Sequence, residues 1–327
     1  VSTVTVSRVA NVPALVRPAT RARVETAMRR LGYAPNLAAQ SMRTLVTRTI
    51  GFLVPDLTNY PNAAVAKAAE ATLAEAGYYM LLTDSDYDPA REARALQLLQ
   101  SRQVDGIILY LSDEDDPVLQ AAIRNLDVPV VVLDRDLPFA VDTVFSDHAE
   151  ATRRTVQALV RHGHRRLALV EPELRIRPVR ERVQAFRAAA RAARLPPDGQ
   201  VVILADPAAR DLEAIEQALT GGRLPTAILV DGNRLLAGAF EIVRRRGLRV
   251  PADAAIVALD AVEPLAAAVP EMVGIVRDFA EIGQQAGRLM IDRLSGARTG
   301  APVSITLASR SVLADRPRAP AAAPADR

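Results

Sequence analysis

The chain has no cysteine, no apolar run long enough to span a bilayer and only three histidines in its 327 residues. Each absence removes a class of function. Without cysteine there are no disulfides, no thiolate metal ligands and no thiol nucleophile, and such a chain suits a reducing compartment. A membrane span needs roughly 18 consecutive apolar residues, and the N-terminus lacks the basic-then-apolar layout of a secretory signal, so a cytoplasmic location is expected. No glycine-rich dinucleotide fingerprint follows a predicted strand and no Walker loop occurs. His148, His162 and His164 cluster without a nucleophile or metal-ligand spacing, and His164 in HGHRR reads as a residue placed before a strand. Neither an enzyme nor a cofactor or metal is expected.

What is present is apolar and electrically lopsided. Half the residues are hydrophobic, enough in a chain of this length for two or three domains with their own cores. Residues 1–48 hold eight arginines against Glu25 alone, a net of +7, which leaves −4 for the rest of a chain whose total is +3. A basic head on an acidic body is what a polyanion binder requires, because arginines that displace phosphate counterions supply most non-specific affinity. A solvated arginine-rich surface is the other reading, since 40 of the 41 basic residues are arginine.

The joint between head and body is Asn36–Gly51, NLAAQSMRTLVTRTIG. Leu37 to Met42 are mostly good helix formers, but a helix this short needs a partner to order it. Upstream, VSTVTVSRVAN mixes β-branched residues with Ser and Thr, and propensity alone makes it strand or loop. Next comes a helix: Pro18 suits its first turn, Val24, Met28 and Leu31 share a face opposite Arg21, Arg29 and Arg30, Gly32 suits the C′ position and Pro35 stops it.

From Thr49 onward strands alternate with helices. Strands are expected at 49–54, 78–83, 105–110, 128–133, 167–171, 201–204, 226–230 and 254–259. Helices are expected at 62–77, 89–103, 114–125, 148–162, 179–193, 209–220 and 234–247. The alternation predicts an α/β protein with parallel sheets covered on both faces, in two doubly wound lobes with a cleft beyond the carboxyl ends of the strands. A strand at 273–276, a helix at 279–295 and a strand pair near 303–313 read as crossings back between lobes. The Pro/Ala-rich tail 315–327 reads as disordered.

Four stretches resemble the lac repressor (LacI/GalR) family of bacterial transcription regulators: STVTVSRVAN, TRARVETAMRRLGYAPNLAAQSMRT, RTIGFLVPDLTN, and RQVDGIILY with HGHRRLALV. The resemblance implies a helix-turn-helix head at 1–35, a hinge helix and linker at 36–48 and a periplasmic-binding-protein-like, type I core at 49–314. The first lobe would take about 49–147 plus 277–300 and the second about 148–276 plus 301–314. It also implies a homodimer on operator DNA, since two half-sites are read at fixed spacing. Thr3, Val4 and Arg8 would face base edges, Thr5, Ser7 and Asn11 the backbone. Arg8 suits a bidentate contact to guanine; Val4 stays open between a thymine methyl and packing, and Val9 reads as packing. In the hinge, Ala39 and Gln40 would line the minor groove and Met42 would be the apolar wedge, where the family places leucine. The chain enters this head inside its second helix, so specific operator binding by the sequence as written is expected to be weak or absent.

For the body the resemblance implies a small-molecule effector, carbohydrate-like, between the lobes. The matching positions are Asn62, Ala63, Asp147, Arg182, Asn233 and Asp260. Departures gather here: aromatics usual in the first lobe and near 204 are replaced by Asn62, Ala63 and Pro207, which removes the expected stacking platforms and leaves Tyr60 or Phe145 as substitutes. Gly232-Asn233 stands for Asn-Asp, and Met272-Val273-Gly274 for Leu-Thr-Thr. A solute-binding protein with the same lobes and no DNA function is the rival reading, opposed by the basic head and the missing signal.

Overall fold

The computed structural model describes residues 1–11, 13–33, 46–206, 215–216, 225–260 and 273–315. The chain divides into two compact units, Val1–Thr47 and Arg48–Arg327.

In the first unit, helix α1 (Thr3–Asn11) replaces the strand or loop that propensity favours, and agrees with the recognition helix that the resemblance implies. Its start is held by Ser2, whose hydroxyl accepts from Thr5 N at 3.3 Å. Val9 buries its side chain, as does Val24 on helix α2 (Pro18–Arg30), and this packing outweighs the β-branched preference. Pro18 occupies the first turn of α2. The end of α2 is a Schellman motif: Gly32 takes φ +60°, its N–H meets Arg29 O, and Tyr33 N meets Met28 O at 2.9 Å. The hinge positions Ala39, Gln40 and Met42 lie outside the described residues.

The second unit carries two six-stranded sheets. The first has the order β11-β5-β4-β3-β1-β2, from β1 (Thr49–Val54), β2 (Tyr79–Asp84), β3 (Gly106–Leu109), β4 (Val130–Leu133), β5 (Asp142–Ser146) and β11 (Ser304–Leu307), all parallel. The second has the order β12-β10-β9-β8-β6-β7, from β6 (Leu167–Pro172), β7 (Gln200–Ala205), β8 (Ala227–Asp231), β9 (Ala255–Leu259), β10 (Val273–Val276) and β12 (Arg310–Ser311). Only β12 there runs antiparallel, against β10. The inner strands read as unbroken apolar runs because helices cover both faces of each sheet.

The first lobe is covered by helices α3 (Tyr60–Glu75), α4 (Pro89–Ser101), α5 (Pro117–Arg124) and α9 (Phe279–Leu294). The second carries α6 (His148–Arg161), α7 (Arg177–Ala192), α8 (Asn233–Arg245) and the short α10 (Val312–Asp315). Helices α3 and α9 approach closely at Gly283, where an added methyl would sit 2.4 Å from Val65 O.

Two expectations need correction. Strand β5 was not foreseen, because polar Asp142 and Thr143 interrupt its apolar pattern; Asp142 is buried and held by Arg293 at 2.6 and 2.8 Å. Residues 301–314 do not belong wholly to the second lobe: β11 extends the first sheet, with Thr143 N donating to Val303 O at 2.8 Å, and only β12 and α10 join the second. The chain thus crosses between lobes three times, at β5 to α6, β10 to α9 and β11 to β12. Of the helix expected at 209–220 only Ile215 and Glu216 are described, and they are helical; the tail from 316 lies outside the described residues.

Candidate functional site

In each sheet the strand order reverses once, between β1 and β3 and between β6 and β8. Parallel sheets bind ligands at the carboxyl ends of strands beside such a reversal. Here those ends bring Asp56 after β1, Tyr110 after β3 and Asp134 with Arg135 after β4 to one side of a cleft. Asp231 at the end of β8, Asp260 after β9 and Arg277 after β10 come to the other.

Arg277 sits on the second crossing and touches both lobes. Its Nε and one terminal nitrogen grip Asp260 at 2.5 and 2.6 Å, and the other terminal nitrogen reaches Asp134 at 2.7 Å and Ser146 Oγ at 3.1 Å. Arg182, on the inner face of α7, lies 2.6 Å from Asp231, 3.3 Å from Asp260 and 3.4 Å from Glu171. His148 Nε2 lies 3.3 Å from Asp134 on the first crossing. Buried charges in such a chain survive because each faces an opposite one.

Titration follows from this wiring. Burial raises the Asp260 carboxyl, but Arg277 and Arg182 outweigh it and hold it down to about 2. Asp134 behaves alike: burial opposes ionisation, while His148 and Arg277 drive it well below the ordinary carboxylate range. For Glu171 burial wins over Arg182 and the carboxyl moves well above its usual value. Burial pushes His148 down despite Asp134. It also lowers Arg135, a buried guanidinium that donates to the Leu111 and Asp134 carbonyls at 2.5 and 2.9 Å.

Three tyrosines line the cleft: Tyr60, Tyr87 and Tyr110. Burial, reinforced by Asp56 and Asp231, pushes the Tyr87 phenol up and keeps it a donor. Tyr87 follows Asp86 in the left-handed region, at φ +57° and +54°, a backbone that aims its ring inward at a cost in strain. Leu174, Ile176, Leu235 and Leu236 complete an apolar wall. Ionised carboxylates that accept, guanidiniums and phenols that donate, and flat apolar faces are together what a polyhydroxylated ring needs.

Of the six expected effector positions, Asn62, Arg182 and Asp260 line the cleft. Asn62 donates to Asp56 O at 2.8 Å. Ala63 lies instead on a separate groove along α3. Asp147 is not among the lining residues because it is the N-cap of α6, accepting from Glu150 N at 3.0 Å. Asn233 opens α8, and its side chain lies outside the description. Phe145 is roofed by the Arg177 guanidinium at 3.8 Å and does not line the cleft, whereas Tyr60 does. The residues that sequence reasoning missed, Asp134, Asp231, Arg277 and Tyr87, all stand at or just after strand ends; that position was their only signal. In the head, Thr3, Val4 and Arg8 are exposed on α1, Val4 at 58 %, and Thr5 is half-buried.

The geometry defines a two-lobed small-molecule receptor attached to a small helical unit. Residues 47–307 match the family described as periplasmic binding proteins and sugar binding domain of the LacI family, and residues 1–36 match bacterial regulatory proteins of the lacI family. The chain belongs to the LacI family of transcriptional regulators. It is 30 % identical to catabolite control protein A of Priestia megaterium over 89 % of this chain and 88 % of that protein. It is likewise 30 % identical to the ribose operon repressor of Escherichia coli K12, over 90 % of each. Its structure is similar to the lac repressor dimer bound to operator and the anti-inducer ONPF, with a TM-score of 0.81 at 26 % identity, covering 95 % of this chain and 93 % of that one. These relatives are regulators rather than enzymes. Among the described residues no helix is long and apolar enough to cross a membrane.

Proposed function

We propose that this regulator binds operator DNA as a homodimer and releases or holds it according to a neutral, carbohydrate-like effector in the cleft. The observation that carries the reading is Arg277, which ties Asp134 of one lobe to Asp260 of the other inside the cleft. A ligand that inserts hydroxyls among these groups changes the energy of one lobe arrangement relative to another, which is the condition for control at a distance. In the head, Thr3, Val4 and Arg8 are assigned to base edges and Thr5, Ser7 and Asn11 to the backbone. Ala39, Gln40 and Met42 are assigned to the minor groove. In the cleft, Asn62, Arg182 and Asp260 are joined by Asp134, Asp231, Arg277 and Tyr87. The relatives named above, a ribose operon repressor and an operator-bound dimer, support both halves of the reading, and the protein would act in the cytoplasm.

A thermal-shift panel of sugars, sugar acids and nucleobases on the whole chain tests it, because a ligand of the folded form raises the melting point. The expected result is a shift by a neutral sugar, and a panel without a shift would sink the effector half of the proposal.

A further inference from the structure

Beside the cleft, and outside the residues that line it, three acidic side chains of the first lobe meet three arginines of the second. Helix α7 begins at Arg177, and its N-cap residue Ile176 has no side chain that can accept the helix's free N–H groups. The acceptor comes from the opposite lobe. Glu114, on the loop between β3 and α5, takes the Arg177 N–H at 3.0 Å on Oε2. The same oxygen accepts from Asp136 N at 2.9 Å, and Oε1 meets the Arg180 guanidinium. The backbone joins in, with Glu114 N donating to Arg175 O at 3.1 Å.

Around this centre Asp136 pairs with Arg177 at 3.1 Å and Arg180 at 2.5 Å, and Asp113 pairs with Arg175. Most of these outer groups are open to water and count for little. Glu114 differs, being only 2 % exposed. A buried carboxylate at a helix N-terminus satisfies free donors, complements the helix dipole and makes charge-assisted bonds. Moving the lobes apart removes all three contributions at once.

We propose that Glu114 is a positioning residue: by capping α7 across the lobe boundary it latches the cleft shut in the absence of ligand and fixes Arg182, one turn further along α7, over Asp231 and Asp260. Its bearing on effector affinity rests on the reading of the cleft given above; the latch itself does not. A ligand then finds a preclosed site, and any loss of closed population raises its apparent Kd in proportion.

The cysteine-free chain allows a direct test. Ala121→Cys on α5 and Ala188→Cys on α7 are exposed positions, one on each lobe, and spin labels there report lobe separation by pulsed dipolar spectroscopy without any ligand. In the labelled parent a single narrow distance distribution is expected. Glu114→Gln, which keeps an oxygen for Arg177 N but loses the charge, should broaden the distribution towards longer distances, and Glu114→Ala should shift it further. Circular dichroism confirms folding, and if the alanine variant does not fold the glutamine variant decides alone. Distances unchanged from the parent in the folded variants would overturn the latch. Because no ligand enters this measurement, a latch that opens as expected stands even if no sugar is found to bind, an outcome that would count against the effector reading only.

Discussion

Arg277 reaches Asp134 at 2.7 Å in one lobe while its remaining nitrogens hold both oxygens of Asp260 in the other. Removing this cation leaves two buried carboxylates facing each other's charge. Arg277→Ala is expected to destabilise the core by about 3–5 kcal/mol, the usual cost of breaking a buried pair from one side. Arg277→Lys should recover only part of it, since an ammonium cannot span the fork. Urea denaturation of the two variants at one pH measures both values.

Glu92 supplies a pH dependence away from the cleft. It is buried on α4, accepts from Ser112 N at 2.9 Å, and burial outweighs its serine contacts to raise its carboxyl to about 7. The folded state therefore keeps a proton that the unfolded chain releases near pH 4.5. Stability falls as pH rises from about 4.5 through 7, and the loss is complete above that, on the order of 3 kcal/mol. Glu92→Gln should remove the Glu92 share of the decline in melting temperature between pH 5 and 8, leaving that of Glu171, and exceed the parent at the upper end; a decline as steep as the parent's would contradict this.

The contact of α3 with α9 depends on an absent side chain. A methyl at Gly283 would lie 2.4 Å from Val65 O and 2.7 Å from Ala68 Cβ, so helix backbones must move apart. Gly283→Ala should cost about 1–3 kcal/mol, the scale of overpacking, despite alanine's better helix propensity. Ala280→Gly, at an exposed position in the first turn of the same helix, should cost less than the roughly 1 kcal/mol that glycine costs in a helix interior, and chemical denaturation separates the two.

In the head, Arg8 is exposed at the end of α1 while Val9 beside it is buried. Whatever specific operator affinity the chain retains should fall by about 1–3 kcal/mol in Arg8→Ala, with relaxed preference at a single base pair. Arg29→Ala, on the exposed side of α2, should weaken operator and random duplex alike and lower the salt slope by about one. Fluorescence anisotropy over a salt series distinguishes these signatures.

The alternation of strands and helices was legible because inner strands such as TIGFLV are unbroken apolar runs, and the Schellman end at Gly32 was legible because only glycine takes that backbone without strain. α1 was legible from the signature and not from propensity, since Val9 gains its burial from a partner helix. Strand β5 was hidden by Asp142, whose charge is answered by Arg293, distant in sequence. The cleft was half visible. Arg182 and Asp260 stand at positions the resemblance marks, but Arg277 and Tyr87 gain their roles from a crossing and a strained turn that no local pattern announces.

Three passages between the lobes also set an order of assembly. Neither lobe is a contiguous segment: the face of the first sheet that α3 and α9 share stays partly bare until α9 has left the ribosome, and the sheet lacks its edge strand until Leu307 has followed. All of the second lobe except β12 and α10 is synthesised before α9. Nascent chains halted before Phe279 should accordingly expose the apolar floor of the first lobe and recruit chaperones, whereas chains released after Asp315 should bury it.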